Sequence, residues 1–263
     1  MNPFDADTAL AGRGERRWRG TVSERWSNGQ GPGINGGLFA ALTTRAALEA
    51  TGLPARSLTI HYLAAPEPGD VELVATIPRA GRSTAFLQLD VVQGDHLMGQ
   101  AIAVCTAWRD DAPAFADGAP PPVAPRERCR RVEAGGLAPP LVANYELFFD
   151  ADFDGARRPA WIGGWIRTAE PRPSDQIALA AMTDAFMPPA FFRPGEPVVV
   201  PTLELTIHFR AQPPAGEHPW VCGWFTSPVA GGGVVGEDGE LWSEDGTLLV
   251  QSRQLAMMRR RAA

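Results

Sequence analysis

Residues 31–37 read GPGINGG, with Gly31, Gly33 and Gly36 at the spacing G-x-G-x-x-G. Such a turn can lay the free N–H groups of a helix start against a phosphate. A dinucleotide site also needs a strand-helix-strand unit and an acidic residue roughly 20 positions on. Residues 50–66 contain no carboxylate, and no Gly-Lys-Ser/Thr follows the glycines. What remains is the physics of a helix start. Its first N–H groups lack internal partners and carry the positive end of the helix dipole. With Asn35 as N-cap, Gly36 and Gly37 let another group approach the backbone closely. Aimed at a carbonyl oxygen, these N–H groups form an oxyanion site; the plainer reading is a capped, flexible turn.

A second candidate is Asp184, in the apolar frame AAMTDAFM. A carboxylate in such surroundings is unusual unless it is hydrogen-bonded or exposed. Partial desolvation raises a carboxyl pKa toward the range of a general base; the alternative is a solvent-facing side chain on a buried helix. Histidines 61, 96, 208 and 218 stand singly, with no HExxH pair. Cys105, Cys129 and Cys222 lack CxxC spacing, which supports neither a disulfide framework nor a zinc site. No cofactor or metal is expected.

These residues sit in a chain of 263 residues, 44% hydrophobic, with a formal net charge of −6. That balance supports a sizeable core and argues against a nucleic-acid partner. The N-terminal segment lacks a signal-peptide core, and no apolar run approaches a membrane span. A cytoplasmic protein with reduced thiols and no membrane partner is the expectation, and the tail Met258–Arg261 reads as a solvated end.

The positioning elements come in two sets. Leu58-Thr59-Ile60-His61-Tyr62 recurs as Leu205-Thr206-Ile207-His208-Phe209, and Ala64, Pro66, Gly69 and Asp70 match Ala211, Pro213, Gly216 and Glu217 at the same offset of 147. In the first set a helix runs from about Gly36 to Ala50, stopped by Gly52, and its small apolar residues on most sides imply burial. Strands follow at SLTIHYLA, DVELVATIP, TAFLQLDVVQ and LMGQAIAVCTAW. In the second, a helix capped by Ser174 runs through QIALAAMTDAFM to Pro188-Pro189, placing Asp184 mid-helix. Strands follow at TLELTIHFRA, PWVCGWFTS, the region GGGVVGEDGELWS and TLLVQSRQLAMMR. Short turns between successive strands exclude parallel crossovers. The expected division is 1–110, a Pro/Ala-rich connector over 111–139, and 140–263.

A buried helix cradled by an antiparallel sheet, present twice, is the double hotdog arrangement of the α+β class. The details resemble the acyl-CoA thioesterase II family. RAGRSTAFLQLDVVQGDHLMGQAIAV is similar to its strand-turn-strand signature, and HYLAAPEPGD to the segment before it. AAMTDAFMPPAFF, PTLELTIHFR and GTLLVQSRQLAMMR resemble the segments that carry its aspartate, threonine and glutamine. The resemblance spans about residues 20–110 and 140–260. It implies hydrolysis of acyl-CoA or a related thioester by a water that Asp184, Thr202 and Gln254 activate. The same resemblance implies a place in fatty acid metabolism and a homodimer or larger homo-oligomer.

Within that reading, Thr206 lies four residues beyond Thr202, on the same face of a regular strand, and could replace it. Gln251, three residues from Gln254, faces the opposite side. Asn35, Gly36 and Gly37 would bind substrate as the oxyanion site. Trp26 could line an acyl pocket or be a core aromatic; His61, repeated as His208, reads as structural with a possible site role. Two other functions stay open. One is a hotdog protein that binds acyl thioesters without catalysis. The other is a double hotdog dehydratase or hydratase, whose His-Asp pair neither His61 nor His208 matches in context.

Overall fold

The computed structural model describes residues 1–29, 33–136, 138–151, 160–193, 195 and 197–260; Gly31 of the glycine turn lies outside them. A short helix α1 (Pro3–Asp7) and strand β1 (Arg17–Val22) precede helix α2 (Gly36–Thr51). Strands β2 (Ala55–Tyr62), β3 (Gly69–Ala80), β4 (Thr84–Gln93) and β5 (His96–Thr106) complete the first half. The second half contains β6 (Tyr145–Phe149), β7 (Ala160–Thr168), helix α3 (Gln176–Met182), β8 (Thr202–Phe209), β9 (Val221–Ser227), β10 (Val234–Ser243) and β11 (Leu248–Met257).

α2 has the expected bounds for local reasons. The Asn35 side chain accepts from the Gly37 N–H at its start, and Gly52 stops it in the left-handed conformation at φ 66°. Leu38, Phe39, Leu42, Thr43, Ala46 and Ala47 are all buried. The strands follow the period-2 alternation of the sequence: β4, TAFLQLDVVQ, buries Ala85, Leu87, Leu89 and Val91 on one face.

The labelled strands join in one antiparallel sheet in the order β1-β3-β4-β5-β2-β8-β11-β10-β9-β7-β6. Read outward from the centre, each half has the same order: the strand after the helix, then the fourth, third and second after it. The halves meet where β2 pairs with β8. Thr59 lies opposite Thr206, Ile60 opposite Leu205, and Leu58 opposite Ile207. The repeat therefore faces itself, and the Thr59 and Thr206 hydroxyls hydrogen-bond across this pseudo-twofold at 3.0 Å. Both helices sit inside the wrapped sheet and pack against each other. A Cβ on Gly37 would come 2.5 Å from the Ala181 carbonyl oxygen of α3, so glycine is required at this crossing.

Several details add to or differ from the sequence-based expectation. β1, β6 and β7 flank the four strands of each half and were not expected as strands. α3 ends at Met182, so Asp184 lies in the turn beyond the helix. The cap of α3 is Asp175, which accepts from the Ala178 N–H, and not Ser174. Arg259 and Arg260 of the basic tail are exposed, as expected of a solvated end, but their backbone pairs with Val199 and Val198; Arg261 lies outside the described residues. Within the expected connector, Arg130 and Arg131 pair with β6, and the Ala124 carbonyl accepts from the Trp165 indole at 2.9 Å.

Candidate functional site

The turn after α3 delivers the Asp184 carboxylate to the N-terminus of α2. Its Oδ2 accepts from the Gly37 N–H at 3.1 Å and from Asn35 Nδ2 at 2.9 Å. The same Asn35 amide donates to the Asp184 backbone carbonyl at 2.8 Å and to Asn28 Oδ1 at 3.3 Å. The Asn35 carbonyl oxygen meanwhile caps Gly37 N at 2.9 Å. Asn35 thus starts one helix and holds the carboxylate that follows the other. Gly36 must be glycine-sized here, because a Cβ would meet Asp184 Oδ2 at 3.0 Å.

The other carboxylate oxygen faces the sheet. Asp184 Oδ1 accepts from Gln254 Nε2 at 3.1 Å, and Gln254 Oε1 accepts from Thr202 Oγ1 at 2.8 Å. Gln254 is 7% exposed. Asp184, Thr202 and Gln254 therefore form one hydrogen-bonded chain, drawn from a turn and two adjacent strands.

A β-bulge brings Thr202 into this chain. The register between β8 and β11 shifts between Thr202 and Glu204, so Thr202 pairs with Ala256 while Leu205 pairs with Gln254. The extra residue turns Thr202 onto the Gln254 face, three positions from Leu205. Thr206 points the other way, toward Thr59 and Glu204. The expectation that Thr206 could replace Thr202 from the same face is corrected by the bulge. Gln251 does face away from Gln254, toward Arg210 and Glu240.

The Gly36 and Gly37 N–H groups are directed at the Asp184 carboxylate. The negative charge that this helix start meets in the folded chain is a side chain, in place of the open oxyanion site expected. Trp26 is fully buried, packed on Phe4 and Tyr145, and donates from its indole to Asp7 at 3.0 Å; it is a core aromatic. His61 is exposed on β2, across from Glu204. His218 bonds the Thr168 carbonyl oxygen.

Two opposed effects set the Asp184 charge. Burial disfavours the carboxylate, while hydrogen bonds from Gln254, Gly37, Gly36 and Asn35 favour it, and the outcome is a pKa raised to about 6. That is within reach of a general base at neutral pH.

Two neighbours were missed from the sequence. Tyr62 donates to the Gly36 carbonyl at 3.0 Å, and its pKa is raised by burial and by Asp184. It is the one position where HY and HF differ at the end of the repeated strand, a usable signal. Glu237 faces Gln254 from β10; no local pattern marks it.

A helix pair inside a double antiparallel wrap defines a double hotdog protein. Residues 22–109 match the family model of the acyl-CoA thioesterase N-terminal domain, and residues 110–258 that of the C-terminal domain. The chain belongs to this family. It is similar to a conserved protein of unknown function with a hot dog fold from Alicyclobacillus acidocaldarius, at TM-score 0.89 and 26% identity, with 100% of each chain covered. The fold of an acyl-CoA thioesterase II from Mycobacterium marinum matches at TM-score 0.79 and 18% identity, over 98% of this chain and 99% of that one. An uncharacterised protein of Mycobacterium tuberculosis is 25% identical, covering 98% of this chain and 96% of its own. Among the described residues no helix is long and apolar enough to cross a membrane.

Proposed function

We propose that this chain hydrolyses acyl-CoA thioesters through a water activated by Asp184. The observation that carries the reading is the partly buried Asp184 carboxylate, held by donors from both halves of the fold. Gly37 and Asn35 donate to Oδ2, Gln254 donates to one side of Oδ1, and the Gly36 N–H also reaches the carboxylate; the water gives its proton to the side of Oδ1 away from Gln254. Thr202 gives its hydrogen to Gln254, so its oxygen is free to accept from that same water.

Attack on the thioester carbonyl transfers the water proton to Asp184 and places a negative charge on the carbonyl oxygen. Asp184 becomes neutral as the oxyanion forms. The positive end of α2, engaged with the carboxylate beforehand, then favours the new charge nearby. Collapse breaks the C–S bond and leaves the free acid; the departing thiolate takes up the proton held by Asp184, which returns the carboxylate to its starting state. Gly36 and Gly37 contribute first to the base and then to the intermediate.

The test is release of free thiol from acyl-CoA substrates of increasing chain length. Turnover on at least one length, lost in Asp184→Asn, is the expected result. Acyl-CoA binding without turnover at any length would leave a non-catalytic binding protein as the better reading. Hydration of an enoyl-CoA would favour the dehydratase class.

A further inference from the structure

On β10, Glu237 lies directly across from Gln254 of β11. Side chains paired across antiparallel strands share a face, and this face is the inward one. Glu237 Oε1 is 3.4 Å from Gln254 Nε2. That amide nitrogen has two hydrogens; one goes to Asp184 and the other points at Glu237. Ser227, at the end of β9, borders the same small cavity as Thr202, Glu237 and Gln254. Its hydroxyl is buried and, among the described residues, has no hydrogen-bond partner. These four polar residues line a partly open cavity of about 10 Å³, roughly the room for one water. The polar site continues past the Asp-Gln-Thr chain.

We propose that Glu237 is a positioning residue of the hydrolytic site, acting through Gln254, and that it serves in its protonated form. The proposal rests on the thioesterase reading. A primary amide can turn over and present its oxygen where its nitrogen was. In Gln254 that would aim Oε1 at the Asp184 carboxylate and remove a hydrogen bond to the base. The acceptor-only Asp184 carboxylate opposes that turn, and Glu237 Oε1, by accepting the second hydrogen of the same amide nitrogen, adds to the preference for the unturned form.

The charge state follows from the surroundings. Asp184 faces Glu237 from the turn after α3, Gln254 from β11, Thr202 from β8 and Ser227 from β9. Asp238 is adjacent on β10 and is itself paired with Arg253 at 3.4 Å. None of these brings a cation to Glu237. Burial, Asp184 and Asp238 push its carboxyl up to about 8. At neutral pH it is a neutral acceptor for Gln254. Ionised, it places a second anion beside the forming oxyanion and opposes the reaction.

The experiment measures kcat and KM of the wild type, E237A and E237Q on an acyl-CoA from pH 5 to 10, corrected for uncatalysed hydrolysis. The expected wild-type kcat has an alkaline limb near pH 8. E237A is expected to lose about tenfold in kcat with KM nearly unchanged. E237Q keeps an acceptor for Gln254, so it should recover most of that loss and lack the alkaline limb. An alkaline limb that persists in E237Q overturns the inference, as does an E237A kcat within twofold of wild type. Should E237A fail to fold, the E237Q profile decides alone. A wild type that hydrolyses no thioester overturns the thioesterase reading together with this one, whereas an active wild type with an unaltered E237Q profile removes only Glu237.

Discussion

Asp184→Asn separates the chemistry of the site from its cost to the fold. A positioned general base contributes about 10²–10⁴-fold, so turnover should fall by at least about a hundredfold. Stability should move the other way. Raising the Asp184 carboxyl from 3.8 to about 6 makes its ionised form about 3 kcal/mol less favourable folded than unfolded. Because the folded pKa is the higher one, this group's contribution to stability is complete below about pH 4 and is lost as pH rises through about 6. Asparagine carries no charge at any pH and escapes that loss. It does set one N–H against donors that expect an oxygen, at about 1–3 kcal/mol at every pH. The variant should therefore be less stable than wild type at pH 4. At pH 7.5 it should be equal or up to about 2 kcal/mol more stable, by the difference of those two figures.

The hydrogen-bond cost cancels when the two pH values are compared. About 2.4 of those 3 kcal/mol fall between pH 4 and pH 7.5, so the Tm of the variant relative to wild type should rise by about 5–10 °C over that interval, at roughly 2–4 °C per kcal/mol for a chain of this size. Relief of Glu237, whose carboxyl Asp184 helps push up, adds in the same direction. Thermal melts at the two pH values, with thiol release measured on the same preparations, give both quantities. A Tm difference that does not change with pH would refute the desolvation argument. A turnover within about threefold of wild type would refute Asp184 as the base.

Other expectations follow from the same geometry. The kcat/KM profile should fall about tenfold per pH unit below pH 6, where Asp184 takes up its proton; a flat profile down to pH 4.5 speaks against it. Thr202→Val removes the donor to Gln254 and should lower kcat about tenfold, whereas Thr206→Val, on the other face, should leave kcat near wild type. Equal losses in these two variants, read from the same thiol assay, would contradict the bulge as the device that selects Thr202. Gly37→Ala sets a methyl group 2.5 Å from the Ala181 backbone oxygen, so the helices must part. A Tm drop corresponding to about 1–3 kcal/mol, together with lost turnover, is expected; wild-type melting would show that the crossing tolerates a side chain.

Several signals that need no tertiary partner were legible in the sequence. The cap at Asn35, the stop at Gly52, the alternation through β4 and the repeat of Leu58–Tyr62 as Leu205–Phe209 act over a few residues and need no partner to be recognised. They led to the helix that starts at Gly36, the strands that wrap it and the double hotdog class. The repeat also carried information about space. A strand that recurs and pairs with its own copy puts Thr59 against Thr206 on a pseudo-twofold, and so brings the end of one half's helix to the start of the other's.

Tertiary structure decided what each site residue touches. Strand period alone puts Thr202 and Thr206 on one face; an extra residue in the ladder separates them, and bulges form where two particular strands must fit. Helix pattern alone carried α3 through Asp184; α3 ends at Met182, so that the carboxylate turns into the neck of α2. The free N–H groups of the GPGINGG turn were legible as a place for negative charge. Which charge fills it depended on residue 184, 147 positions from Gly37, and only packing of the two halves fixes that distance at 3.1 Å. Glu237 was silent for the same reason: its role comes from lying opposite Gln254, and register between strands is a property of the assembled sheet.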